Sequence, residues 1–126
     1  MIQEGPARAF TKQSPSFDKI EDENLILQYM RKRIHDHCLR YFPANAKILE
    51  LNCGTGIDAV FFSNYGMKTL ATDVAPGMIH ALNVKIKDLN LDNSISTQLC
   101  SYTELPQFSE GPFDVVFSDF GGLNCV

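Results

Sequence analysis

The chain has 126 residues, 44% of them apolar, which suits one globular domain with a modest core. A formal net charge of −4 argues against nucleic acid or an anionic membrane surface as a partner. No apolar run approaches the ~18 residues that span a bilayer, and residues 1–16 lack the apolar core of a signal peptide.

Those first sixteen residues, with Pro6 and Pro15, read as a flexible N-terminal arm. The spacing of Ile26, Met30, Ile34, Cys38 and Tyr41 predicts an amphipathic helix over 21–41, which Phe42-Pro43 ends. Within it the triplet Arg31-Lys32-Arg33 reads as a solvated face. Lys47–Leu51 is a predicted strand. It runs into Asn52-Cys53-Gly54-Thr55-Gly56, and a helix follows whose buried face is expected at Ile57, Val60 and Phe61. A second strand, Met67–Thr72, ends at Asp73. Pro76 suits the first turn of a third helix with the stripe Ile79, Leu82, Ile86, Leu89. Ile95–Cys100 reads as strand three, and Phe113–Ser118 as a fourth strand covered on both faces. Strands alternating with helices imply βαβ units and a parallel sheet.

Four cysteines, at 38, 53, 100 and 125, form no C-x-x-C pair. Neither a zinc site nor a redox dithiol is signalled, and no metal is expected. Cys53 and Cys100 read as small core residues. A reducing, cytoplasmic location is the corresponding expectation. His35 and His37 project about 200° apart on a helix and cannot share a metal, and His80 reads as a surface or boundary residue.

The chemistry concentrates at the strand ends. Gly54 and Gly56 make a tight strand-to-helix turn where a ligand can approach bare backbone, at the N–H end of a helix. Gly54-Thr55-Gly56-Ile57-Asp58-Ala59 fits G-x-G-x-x-G/A, which by itself also suits a nicotinamide or flavin protein. Two carboxylates flank the turn. Glu50 lies in the first strand, where it is either a ligand contact or a buried carboxylate satisfied by loop amides. Asp73, seventeen positions after Gly56, can accept from both hydroxyls of a ribose or can cap the next turn.

With these residues in place, the sequence resembles the class I S-adenosylmethionine-dependent methyltransferases. Glu50, Gly54 and Gly56 match the family's E-x-G-x-G-x-G, with Asn52 at the first glycine; Asn is the non-glycine residue that best tolerates a left-handed backbone. TDVAPGM at 72–78 resembles the second motif. The match implies Asp73 on the ribose, Met78 on the adenine, and Val74 among the cofactor contacts. Leu105-Pro106 fits the third motif, where Ser101 replaces a carboxylate and, with Tyr102, would frame the adenine. Phe113-Asp114-Val115-Val116 resembles the start of the fourth strand. Asp119-Phe120-Gly121-Gly122-Leu123-Asn124 resembles the loop that follows that strand, which would place Asp119 near the methyl sulfonium. Asp18 resembles an element of an N-terminal helix in small-molecule methyltransferases.

The resemblance implies an α/β, Rossmann-like, doubly wound parallel sheet with helices on both faces and strand order 3-2-1-4. The family carries seven strands, so residues 17–126 are expected to form a cofactor-binding domain truncated after strand four. S-adenosyl-L-methionine is the implied cofactor and a small molecule the implied methyl acceptor, with Glu50 orienting the methionine amine. No general base is identifiable. Two alternatives stand beside this reading: a non-catalytic S-adenosylmethionine-binding or scaffold module, and an NAD(P)-binding Rossmann protein. The apolar run Val115-Val116-Phe117 at a sheet edge leads to the expectation of a homodimer through strand four.

Overall fold

The computed structural model describes residues 24–100 and 112–118. The elements are α1 (Leu25–Tyr41), β1 (Lys47–Glu50), α2 (Ile57–Ser63), β2 (Lys68–Asp73), α3 (Pro76–Asp88), β3 (Ile95–Leu99) and β4 (Val115–Phe117). The strands form one four-stranded sheet in the order β3-β2-β1-β4, and every neighbouring pair is parallel. This is the Rossmann-like α/β arrangement. The N-terminal arm, Asp18, Ser101, Tyr102, Leu105-Pro106 and the stretch 119–126 lie outside the described residues.

Local chemistry sets the element ends. The Asn24 side chain accepts from the Ile26 and Leu27 amides at 3.0 and 3.1 Å and starts α1. Phe42 leaves the helix in extended conformation ahead of Pro43. Gly66, at φ 77, turns the chain from α2 into β2. Pro76 takes the first turn of α3, where a missing N–H costs nothing.

Pleating assigns the two faces of the sheet. Ile48, Thr69, Ile95 and Val115 sit in register, so their side chains share one face; Ala71 and Phe117, two residues along their strands, join them. The described helices cover this face. Cys38 of α1 and Phe62 of α2 pack with Ile48, Met67 and Phe117. Ile79, Leu82 and Ile86 of α3 pack with Ala59, Ala71 and Ile95. Phe62, fully buried, meets the rings of Phe42 and Phe117 at 5.6 and 5.2 Å. On the other face Leu49, Leu51 and Leu70 form a buried cluster with Phe113, and no helix among the described residues lies over it.

Several sequence expectations shift here. In α1 the buried residues are His35 and Cys38, whereas Ile26, Met30 and Tyr41 are exposed. In α2 they are Asp58, Ala59 and Phe62, one step around from the predicted face. Arg31 is not solvated: it reaches Asp58 at 2.6 Å, while Lys32 and Arg33 face water. Both displacements share one cause. A buried ionic cluster occupies the α1–α2 contact, so polar side chains sit on faces that hydropathy assigns to solvent. In α3, Met78 is buried and Leu89 exposed. β4 is not covered on both faces, because Val116 is 62% exposed.

Candidate functional site

The carboxyl ends of β1, β2 and β3 meet at one rim of the sheet, where ligands bind in open α/β folds. Glu50 closes β1 and is 1% exposed. Beyond it the turn is pinned to its neighbours by backbone. The Leu51 amide donates to the Phe117 carbonyl at 2.8 Å, and the Cys53 amide to the Thr72 carbonyl at 2.8 Å. The Thr72 hydroxyl donates to the Glu50 carbonyl at 2.7 Å. The turn therefore exits the sheet as part of it.

Three residues of the turn adopt left-handed backbone: Asn52 at φ 55, Gly54 at φ 58 and Gly56 at φ 86. Asn52 carries this conformation in place of glycine, as the sequence anticipates. Its side-chain Nδ2 is buried and has no hydrogen-bond partner. Gly56 has a packing role as well. A Cβ there would collide with the Leu82 side chain of α3, so this glycine lets α3 close against the turn.

Asp73 ends β2 and joins the two turns. Its Oδ2 accepts from the Gly54 amide at 2.9 Å, and its Oδ1 from the Ala75 amide at 2.9 Å. Burial raises its pKa above the ordinary aspartate range, and the amides of Ala75, Gly54 and Val74 partly offset this. A carboxylate has about four lone-pair sites, so acceptor capacity remains for hydroxyl groups. Leu99, opposite Asp73 in the β2–β3 register, is half-exposed. Sequence reasoning passed over it as a strand residue, yet it puts an apolar surface beside the carboxylate. Val74 is partly exposed and Met78 fully buried, both just beyond Asp73.

The field at the turn is negative. Burial pushes the Cys53 thiol far above its ordinary range, and the charges of Glu50, Asp73 and Asp58 push it further. Three carboxylates therefore converge on one short turn. Asp58, whose role hydropathy did not signal, is held by Arg31 and by His35 Nε2, each 2.6 Å from Oδ1. Cys38 and Cys53 are buried thiols, and Cys100 is partly exposed. Among the described residues no group of three His, Cys, Asp or Glu could hold a metal ion, and no helix is long and apolar enough to cross a membrane. Of the residues singled out by sequence, Glu50, Asn52, Gly54, Gly56, Asp73, Val74 and Met78 belong to this rim or the helix leaving it. Ser101, Tyr102 and Asp119 lie outside the described residues.

A family model described as a methyltransferase domain matches residues 48–126, more than half of the chain. The chain belongs to that family of methyltransferase domains. No curated protein matches the sequence. Solved structures share the fold. One, from Methanococcus maripaludis and described as an S-adenosyl-L-methionine-dependent methyltransferase, is 16% identical over 86% of this chain and 49% of its own, with a TM-score of 0.72. One from Streptococcus mutans, described as a methyltransferase in complex with SAH, is 21% identical over 69% of this chain and 49% of its own, with a TM-score of 0.60. One from Galdieria sulphuraria, described as a sarcosine dimethylglycine methyltransferase, is 19% identical over 73% of this chain and 37% of its own, with a TM-score of 0.63. The chain spans about half the length of the first structures it matches.

The Gly56–Leu82 contact makes a direct prediction. Gly56→Ala adds a left-handed backbone cost and an overpacking cost, together about 2–4 kcal/mol. Urea denaturation should show that loss, and Leu82→Ala in the Gly56→Ala background should cost less than Leu82→Ala does in the wild type. Additive losses in the cycle would show that the two residues do not compete for the same space.

Proposed function

We propose that this rim binds S-adenosyl-L-methionine for methyl transfer to a small-molecule acceptor, and that the chain supplies the cofactor-binding half of that activity. The observation that carries the reading is Asp73: a buried carboxylate at the end of β2 that clamps the Gly54 amide and keeps free lone pairs beside the exposed apolar Leu99. The residues present suit the cofactor's parts. Ribose hydroxyls would donate to Asp73, and the adenine would lie toward Leu99, Val74 and Met78. Glu50, with the Gly54–Gly56 backbone and the buried Asn52 amide, would meet the methionine end. The carboxylates of Glu50 and Asp73 favour its ammonium and the positive sulfonium. When bound, the cofactor supplies an activated methyl group; the chain's own residues hold and orient it and keep water from it.

The small-molecule acceptor rests on chemistry. The net charge of −4 disfavours a polyanionic acceptor, and one fold neighbour is named for the small amines sarcosine and dimethylglycine. The buried thiols Cys38 and Cys53, neither of them in a disulfide, suit a reducing, cytoplasmic setting. The alternative of a non-catalytic binding module shares the same donor site and differs only in turnover.

Calorimetry with S-adenosylhomocysteine and, separately, with NAD tests the reading. The homocysteine compound should bind and NAD should not; the reverse result overturns it. Asp73→Ala should weaken binding about 10- to 100-fold, since hydrogen bonds to a charged group contribute about 1.5–3 kcal/mol, and Asp73→Asn should lose less. Affinity should also depend on pH. Hydroxyl donors prefer the ionised carboxylate, and burial holds Asp73's pKa above the ordinary aspartate range. Affinity should therefore fall as pH is lowered through that raised value and level off above it; a flat profile there would place the ribose elsewhere.

We also propose self-association along β4. It is the last strand of the described sheet, Val116 is exposed, and a groove of about 350 Å³ beside it is lined by Ile34, Cys38, Phe42 and Val115–Ser118. Light scattering over a concentration series should show dimers, which Val116→Lys should dissociate. A monomer at high concentration would refute the proposal.

A further inference from the structure

The cluster of Arg31, His35 and Asp58 lies beside the rim and has no part in the cofactor contacts proposed above. Asp58 sits in the first turn of α2, two residues beyond Gly56, and its side chain is 4% exposed. Its Oδ1 accepts from Arg31 Nη1 and from His35 Nε2. Both donors belong to α1, one turn apart on the same face. The His35 ring is itself fixed, stacked on Phe61 of α2 at 3.7 Å and 14°. The glycine turn is thus gripped on two sides: Asp73 holds the Gly54 amide at one end, and α1 holds Asp58 just past the other.

A buried ionic cluster is a poor means of stabilising a helix contact. Its desolvation cost rivals its attraction, and apolar side chains of similar volume do as well or better. What it supplies is direction, because only one placement of α1 satisfies Asp58. It also supplies charge. Asp58 is one of the three carboxylates acting on the turn, and docked Arg31 neutralises it. Loss of α1 docking would take two partners from Asp58 in the first turn of α2, directly after the glycine turn.

We infer that the Arg31–His35–Asp58 clasp makes α1 a positioning element for the cofactor, so that donor binding and α1 docking are thermodynamically coupled. Arg31, His35 and Asp58 are positioning residues acting through the Gly54–Gly56 turn, and the inference rests on the cofactor reading above. Coupling is reciprocal: a docked α1 raises affinity, and a bound ligand tightens α1 by the same factor. Cys38, Ile34 and Phe42, which pack α1 on the sheet, give the helix adhesion without this link.

Hydrogen exchange across Leu25–Tyr41, with and without saturating S-adenosylhomocysteine, tests the coupling. The wild-type α1 amides should exchange about 5- to 50-fold more slowly with ligand, the range of ordinary coupling. The apolar variant Arg31→Met/His35→Phe/Asp58→Leu should remain folded, bind the ligand more weakly by a similar factor, and show no ligand-dependent change in α1. Unchanged α1 exchange in the ligand-saturated wild type overturns the inference without any variant. A folded variant with wild-type affinity and a wild-type α1 response overturns it as well. Failure of the wild type to bind S-adenosylhomocysteine overturns the cofactor reading and this inference with it.

Discussion

One carboxylate ties the site end of this fold together. Asp73 ends β2, yet its two oxygens serve the turns after β1 and after β2, through Gly54 and Ala75. Parallel strands leave their C-terminal loops without ladder partners, so each loop must find its own hydrogen bonds. A short acid at the end of β2 serves both at once, and the Cys53–Thr72 and Cys100–Asp73 backbone bonds continue the sheet to the same level. The loops are thereby set by the register of β1 on β2, which apolar packing at Leu49 and Leu70 specifies. Core packing and site geometry share one determinant.

Much of this was legible in the sequence, for a physical reason. Short strand-forming runs alternating with helical stripes, punctuated by Gly, Asn or Pro, have few structural solutions, so all four strands and three helices fall within a few residues of their predicted places. Asn52 in a left-handed turn was readable from the same logic. The helix faces were not. Periodicity locates a buried face only when that face is apolar, and the α1–α2 contact is built around Arg31, His35 and Asp58. A hydropathy count cannot tell a buried arginine from a solvated one; only the partner does. Gly56 shows a related limit. Sequence marks it as a position that excludes a side chain, and the structure shows that the excluding neighbour is Leu82.

The rim is also a question of electrostatics. Burial raises the Cys53 thiol most, and the charges of Glu50, Asp73 and Asp58 add to it. Carboxylates gathered in a partly dry turn repel one another, and each must be offset locally. Asp73 is offset by amide dipoles and Asp58 by Arg31. The arrangement is therefore neither a general cation trap nor an anion cradle of the kind that glycine turns form around pyrophosphate. The same backbone turn, lined instead with carboxylates, disfavours a diphosphate and favours positive groups such as an ammonium or a sulfonium.

That difference separates fold from function here. A parallel sheet with a glycine turn defines where a nucleoside lies and says little about what it carries. In the proposed site Asp73 would read only the ribose, a feature common to nicotinamide and sulfonium cofactors alike. In that reading the discrimination would come from what surrounds the turn: Glu50 buried at the end of β1, and Asp58 held by a helix outside the sheet. Both lie on the methionine side of the proposed site, where an amino acid replaces a pyrophosphate. In the proposed site the residues that would make this turn specific are those whose charges the protein has to bury and offset, and for Asp58 that burden falls on Arg31 and His35 of the helix preceding the first strand, beside the apolar cluster that holds Ile34, Cys38, Phe61 and Phe62.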